Sequence, residues 1–277
     1  MDYTINVHGQ LMALSKPQVM GILNVTPDSF YAGSRMQNDQ SIAERANQIV
    51  AEGATMIDIG GCSTRPGSEP VSQTEEMQRL RMALAVVRRE RPHSVISVDT
   101  FRPDVARMAV EEFGADIIND VSEGSLEMYR MIARLRVPYI LMSVQPTLRD
   151  MLMAFSREVQ QLRDFGVKDI ILDPGFGCFW FGKTVTQNYQ VMNNLERLLV
   201  MELPILVGVS RKSMIFKLLG LTPDGALNGT SVLNTIALMK GASILRVHDV
   251  KEAVECVKIV ESLSGQIENS LCSLSSD

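Results

Sequence analysis

A chain of 277 residues, 45% of them hydrophobic and 21% charged, can bury a sizeable core, and its length suits one α/β barrel better than two small domains. A formal charge of −5 and a pI near 5.4, without any basic run interleaved with aromatics, argue against a nucleic-acid surface and for a small-molecule partner. No apolar stretch approaches the roughly 18 residues of a membrane span, the N-terminus lacks a signal-peptide pattern, and the cysteines at 62, 178, 256 and 272 share no CxxC spacing. The expectation is a cytoplasmic protein with reduced thiols.

The first predicted element is a hairpin, from the polar–apolar alternation TINVHGQLMAL beginning at Thr4. QVMGIL from Gln18 is the first of eight apolar, β-branched runs, and it leads into Leu23-Asn24-Val25-Thr26-Pro27-Asp28-Ser29-Phe30. Asn24, Thr26, Asp28 and Ser29 suit a hydrated Mg²⁺ or a diphosphate; an Asx-type turn around Pro27 is the plainer alternative. Ile42, Ala46, Ile49 and Val50 then recur with helical period ahead of Gly53.

TMIDIG from Thr55 opens the second unit and runs into Asp58-Ile59-Gly60-Gly61-Cys62-Ser63-Thr64-Arg65-Pro66-Gly67. Paired glycines let a backbone approach a ligand, and Ser, Thr and Arg offer donors to an anion; a surface loop with a solvated Arg is the alternative. Ser72 and Glu75 form a candidate capping box ahead of Met77, Leu80, Leu84 and Val87.

The next runs are SVISVD from Ser94, ADIIND from Ala115, VPYILM from Val137 and KDIILD from Lys168. Polar groups close them: Asp99, Asn119 with Asp120, Ser143 and Asp173. Buried carboxylates are costly unless each meets a partner, either a strand-end Arg or Lys or a ligand with adjacent N–H donors. PILVGV from Pro204 precedes Ser210-Arg211-Lys212-Ser213, and SILRVH from Ser243 carries Arg246 and His248, on the two loops where barrels usually bind phosphate.

Strand and helix alternate throughout, which predicts a parallel sheet covered on its outside. An open doubly wound sheet would scatter the polar strand ends, whereas a (β/α)₈ TIM barrel gathers them on one face. The predicted architecture is therefore the barrel, with the N-terminal hairpin closing its bottom. One domain is expected over residues 1–277, with a core of about 17–265 and a frayed, Ser-rich tail.

Taken in order from about Met20 to Val250, LNVTPDSF, DIGGCSTRPG, SVDT, IINDVS, DPGFG, GVSRKS and RVHDV resemble the signature blocks of the dihydropteroate synthase family. The resemblance implies a transferase of folate biosynthesis that joins 6-hydroxymethyl-7,8-dihydropterin diphosphate to p-aminobenzoate. It implies that Asp99, Asn119, Asp173 and Lys212 hold the pterin, and that Asn24 takes Mg²⁺. Asn24, Arg65, Arg246 and His248 would hold the diphosphate, Thr64, Pro66 and Ser213 would border p-aminobenzoate, and Asp28 would help order the closed site. Asp28, Asp99, Lys212 and Arg246 are thus the expected catalytic set. A homodimer and sulfonamide inhibition also follow from the resemblance. Methyltetrahydrofolate methyltransferases share the barrel and the pterin-binding acids, but the STRPG and SRKS blocks fit the synthases better. A pterin-binding module without catalysis is a further alternative. A Schiff-base aldolase using Lys212 is a weaker one, since the anion-binding set makes it unnecessary.

The chain departs from the family pattern in three places. Cys62 replaces the usual Glu of GGESTRPG, Met142-Ser143-Val144-Gln145-Pro146 replaces the usual fifth strand end, and Cys178-Phe179-Trp180 is inserted after Gly177. The insertion makes Gly177 to Thr184 read G-x-x-x-x-G-K-T, the phosphate loop of nucleotide hydrolases. The bulky Phe179-Trp180-Phe181 suits that tight curvature poorly, so the reading is of an accidental match and of an aromatic bulge at the pocket rim that alters access for p-aminobenzoate or sulfonamides.

Overall fold

A computed structural model of the chain describes residues 3–25, 35–62, 71–177 and 183–263, apart from the side chains of 35–38. The predicted hairpin is present as β1 (Thr4–Val7) and β2 (Gln10–Ala13), paired antiparallel. Its two-residue turn places His8 and Gly9 at φ 51° and 77°, the left-handed conformation that matches the twist of adjoining strands.

All eight apolar runs form strands. They are β3 (Gln18–Asn24), β4 (Met56–Gly60), β5 (Val95–Asp99), β6 (Ile117–Asp120), β7 (Tyr139–Met142), β8 (Ile170–Asp173), β9 (Leu206–Val207) and β10 (Ile244–Val247). The parallel order is β8-β7-β6-β5-β4-β3-β10-β9, and a parallel bridge from Leu172 to Ile205 joins its two ends into a closed barrel. Between successive strands lie α1 (Arg35–Ala51), α2 (Gln73–Glu90), α3 (Pro103–Phe113), α4 (Leu126–Leu135), α5 (Leu148–Asp164) and α6 (Val185–Asn193). The later helices are α7 (Ser213–Leu219), α8 (Leu227–Met239) and α9 (Val250–Leu263). Among the described residues, no helix is long and apolar enough to cross a membrane.

Ser72 caps α2 as expected, accepting the Glu75 N–H at 3.2 Å. The reciprocal half of the box is absent because the Glu75 carboxylate pairs with Arg79 one turn on. Gly21 shows how tightly the helices close on the barrel: a Cβ there would lie 2.5 Å from the Ile49 side chain and 3.0 Å from that of Val250.

The period-two alternation of the strands divides the core into two shells. Ile57, Ile59, Ile96, Val98, Ile118, Leu141 and Leu245 face outward against helix residues such as Ile42, Leu80 and Val105. Met20, Met56, Ile117, Ile140, Ile171, Leu206 and Ile244 face inward and pack on Ile5, Val7 and Leu14, so the hairpin plugs the barrel floor. Full burial of each such side chain contributes about 1.5–3 kcal/mol. Two residues beyond Met56, Ile117, Ile171 and Ile244 the inward positions turn polar, as Asp58, Asn119, Asp173 and Arg246, and there the functional side chains begin.

Candidate active site

Above the apolar floor, the inward positions of neighbouring strands hold Asp58 on β4, Ser97 on β5, Asn119 on β6 and Arg246 on β10. The first three are buried. Asp58 is the hub. It accepts from Arg246 Nε at 2.6 Å, from Ser97 Oγ at 2.6 Å and from Asn119 Nδ2 at 3.1 Å. The other arm of Arg246 donates to Asp99 Oδ2 at 2.7 Å. One guanidinium therefore serves two carboxylates.

That ratio sets the electrostatics. Burial, with Asp58, Glu76 and Asp120 as like charges nearby, outweighs Arg246 and pushes the Asp99 carboxyl up to about 7. Arg246 itself is held above its ordinary value: burial opposes its charge, but Asp58 and Asp99 outweigh that. Asp173, at the end of β8, is also raised by burial, against the pull of Lys212, its bond from Gly175 and the more distant Arg246 and Lys183. Its Oδ1 accepts the Gly175 N–H at 2.7 Å. Lys212, just before α7, donates to the Phe176 carbonyl and faces Asp173 electrostatically.

Asn119 leaves an opening in this network. Its Nδ2 is bound to Asp58, whereas its buried Oδ1 has no partner among the described residues. A buried acceptor left in this way calls for a donor from elsewhere. At the end of β3, the Asn24 amide oxygen lies over Gly60, where an added Cβ would stand 3.3 Å from it.

The structure thus brings Asp99, Asn119, Asp173, Lys212 and Arg246 to one end of the barrel, with Asn24 at the rim. His248 is placed by its main chain, whose N–H donates to Ser210 Oγ at 3.1 Å and whose carbonyl accepts from Arg45 at 2.6 Å. Ser213 is the first residue of α7. Asp28, Thr64, Arg65, Pro66 and the inserted Cys178-Phe179-Trp180 lie outside the described residues.

Asp120 and Arg211 do not join the cluster. Asp120 has the opposite parity to Asn119, and its carboxylate accepts from Tyr139 Oη at 2.7 Å and Ser122 Oγ at 2.6 Å. Arg211 makes a two-pronged pair with Asp249, both bonds 2.8 Å, and so ties the loop after β9 to that after β10. Asp58, the residue that connects most of the site, closes its run in the sequence but was assigned no role there. Its signal was present: it is an acid inside an apolar run, at the same parity as Gly60.

The phosphate-loop alternative fails on its own lysine. Lys183 is buried, its ammonium donates to three main-chain carbonyls, and Thr184 Oγ1 accepts the Gln187 N–H as the cap of α6. Neither group is available to a phosphate. Ser143 is likewise part of the framework, with its N–H on the Asp173 carbonyl at 2.9 Å and its Oγ accepting the Gln145 N–H at 3.2 Å.

Cys62 lies half-buried near Arg102, Nη1 to Sγ 3.8 Å, beside the fully buried Glu76. Glu76 accepts from Thr100 Oγ1 at 2.7 Å and from Arg102. Burial first, and then Glu76, push the thiol up to about 12. It is therefore a thiol at any working pH, and iodoacetamide at about pH 8 is expected to leave Cys62 unmodified in the folded protein. Peptide mapping checks this; stoichiometric alkylation of Cys62 would contradict it.

A family model described as pterin binding enzyme matches residues 20–248. Dihydropteroate synthase of Escherichia coli (strain K12) is 40% identical over 280 residues, covering 94% of this chain and 96% of that one. Among solved structures, Xanthomonas albilineans dihydropteroate synthase with 4-aminobenzoic acid superposes with a TM-score of 0.88 at 32% identity, covering 95% of this chain and 99% of that chain. A Coxiella burnetii dihydropteroate synthase in complex with pteroic acid gives 0.83 at 34% identity, covering 94% and 98%. With the barrel, the strand-end acids and the sequence blocks all in agreement, the chain belongs to the dihydropteroate synthase family of pterin-binding enzymes.

Proposed function

We infer that the chain catalyses attack of the p-aminobenzoate amine on the exocyclic methylene of 6-hydroxymethyl-7,8-dihydropterin diphosphate, giving 7,8-dihydropteroate and diphosphate. The C–O bond to diphosphate breaks, the C–N bond forms, and the amine loses a proton. The observation that carries this reading is the buried Asn119 Oδ1, without a partner among the described residues, at the same end of the barrel as the strand-end carboxylates Asp99 and Asp173. Acceptors at the ends of β5, β6 and β8, within one arc of the barrel, suit a flat ring whose edge bears several N–H donors.

Asp99, Asn119, Asp173 and Lys212 hold the pterin in this proposal. As the C–O bond lengthens, positive charge grows on the methylene and negative charge on the leaving oxygens. The acids around the ring stabilise the first, and Arg65, Arg246 and His248 the second. Thr64, Pro66 and Ser213 border p-aminobenzoate, and Asp28 orders the closed site.

Mg²⁺ fits the rim. Among the described residues no group of three His, Cys, Asp or Glu is placed to hold a metal, but Asn24 offers a hard, neutral amide oxygen over a glycine. An ion that keeps most of its water and shares diphosphate oxygens needs few protein ligands. Bound there, it would neutralise charge on the leaving group.

A cytoplasmic location agrees with the unpaired thiols of Cys62 and Cys256. A homodimer agrees with the exposed apolar side chains Leu218 on α7, Val232 and Met239 on α8 and Ile259 on α9, which pack as successive helices.

The test supplies purified protein with the pterin diphosphate, p-aminobenzoate and Mg²⁺ and follows dihydropteroate by chromatography. Product supports the synthase. Pterin binding without turnover supports a binding module, and methyl transfer from methyltetrahydrofolate supports the methyltransferase. The acid limb of the pH profile is also specified: because Asp99 accepts ring N–H groups as a carboxylate, kcat/KM for the pterin substrate is expected to rise as pH passes upward through about 7. A profile flat between about pH 6 and 8 would contradict that role for Asp99.

A further inference from the structure

Lys183 belongs to the Gly-Lys-Thr run that resembled a phosphate loop, yet its ammonium points into protein. Nζ donates to the carbonyls of Ser143 at 2.9 Å, Pro174 at 2.9 Å and Gly175 at 3.1 Å. An ammonium has three N–H donors, and all three are used. The acceptors lie on the segments that leave β7 and β8.

The segment Pro174–Phe176 governs two of the groups assigned to the pterin. Gly175 donates its N–H to Asp173, and the Phe176 carbonyl accepts from Lys212. Gly175 sits at φ 63°, and a Cβ there would fall 2.3 Å from the Ser143 carbonyl oxygen, so only glycine lets the two chains come this close. Three carbonyl oxygens converging on one point repel one another without a cation between them.

The neighbouring chain is pinned as well. Asn188 on α6 accepts the Gly177 N–H at 2.9 Å and donates to the carbonyls of Gly177 at 3.3 Å and Thr184 at 2.8 Å. The chain on both sides of residues 178–182 is thereby held to α6.

We propose that Lys183 is a positioning residue for the transferase reaction: its ammonium gathers the Ser143, Pro174 and Gly175 carbonyls and so fixes the main chain that aims Asp173 and Lys212 at the pterin. The inference rests on the pterin transferase function proposed for this barrel. The ionisable groups facing Lys183 are Asp173, Lys212 and Glu123; burial, joined by the like charge of Lys212, outweighs the two carboxylates and pushes the ammonium down to about 8. Above that pH a neutral amine has two N–H donors for three carbonyls, so the grip on the segment loosens as pH rises.

The experiment compares the full-length protein with Lys183→Gln, measuring the dissociation constant of 6-hydroxymethylpterin by calorimetry at about pH 7 and about pH 9. KM is measured for both substrates in parallel. The wild type is expected to bind the pterin more weakly at the higher pH. Lys183→Gln is expected to bind it about tenfold more weakly at the lower pH, with little further change at the higher, while KM for p-aminobenzoate stays within about twofold. A variant that binds like the wild type, or keeps the wild-type pH dependence, overturns the proposal. If circular dichroism shows the variant unfolded, the wild-type profile decides, and a flat one overturns it. A wild type that binds no pterin at either pH removes the transferase function and this proposal together; pterin binding that is indifferent to Lys183 removes only the latter.

Discussion

Arg246→Met is expected to lower kcat/KM for the pterin substrate by two to three orders of magnitude, the largest effect of any single change at the described residues. The reason is the one-to-two ratio of cation to acid. Arg246 bonds Asp58 at 2.6 Å and Asp99 at 2.7 Å, and Asp58 is fully buried. Removing one partner of a buried pair costs about 3–5 kcal/mol, because the remaining charge is stranded, and here two charges are stranded at once. The acids respond by taking up protons. Asp99, already pushed up to about 7, moves higher still, so at neutral pH it ceases to be the carboxylate that accepts the ring's N–H groups. The acid limb of the pH profile should therefore move upward as the rate falls. Arg246→Lys should lie between the two, since a point ammonium cannot reproduce the two-armed geometry. Steady-state kinetics across pH, with circular dichroism to confirm folding, settle the matter; a loss smaller than about tenfold would show that the guanidinium is not the site's organising cation.

Asp58→Ala is expected to cost nearly as much, although in the proposed arrangement Asp58 touches no substrate. It leaves Arg246 Nε, Asn119 Nδ2 and the Ser97 hydroxyl without their acceptor in a dry part of the barrel. Unpaired buried donors cost about 1–3 kcal/mol each, less where they can turn elsewhere, which sets a loss of about a hundredfold in pterin affinity. Asp58→Asn separates charge from shape. Its amide oxygen can still accept from Arg246 and its amide nitrogen can donate to Ser97, so the geometry survives. The like charge beside Asp99 is gone, however, and Arg246 serves Asp99 alone. The acid limb should then fall below about 7, opposite in sign to the shift in Arg246→Met. Because the two residues share one network, their effects should not add: Asp58→Ala combined with Arg246→Met should lose clearly less than the sum of the single losses. Additive losses would mean that the two act separately.

The elements that sequence could reveal are those whose cause is local. Eight apolar runs, each needing burial on both faces, are written in consecutive residues, as are the Thr4–Leu14 alternation and the Ser72 cap. The parity of inward positions was legible in the same way: Met56, Asp58 and Gly60 alternate with Ile57 and Ile59. Counting parity from Asn119 would also have turned Asp120 outward, where Tyr139 and Ser122 hold it. Arg211 and Lys212, adjacent in sequence, read as a pair of cations for one anion. In the fold their side chains diverge: Arg211, at φ 53°, reaches Asp249, and Lys212 reaches the Phe176 carbonyl.

By itself, the sequence determined the barrel, its plugged floor, the family and the set of polar groups at the strand ends, because strand periodicity and hydrophobic burial act over a few residues. Only the tertiary structure decided what those groups do to one another. Arg246 meets Asp58 across 188 residues and Asp99 across 147, and Lys183 reaches the Ser143 carbonyl across 40. Closing the barrel creates those neighbours, and with them a carboxylate raised to about 7 and a lysine lowered to about 8. A charge takes its free energy from what surrounds it in space, and on that account the same Lys183 that spelled a phosphate loop in sequence is a buried peg in the fold.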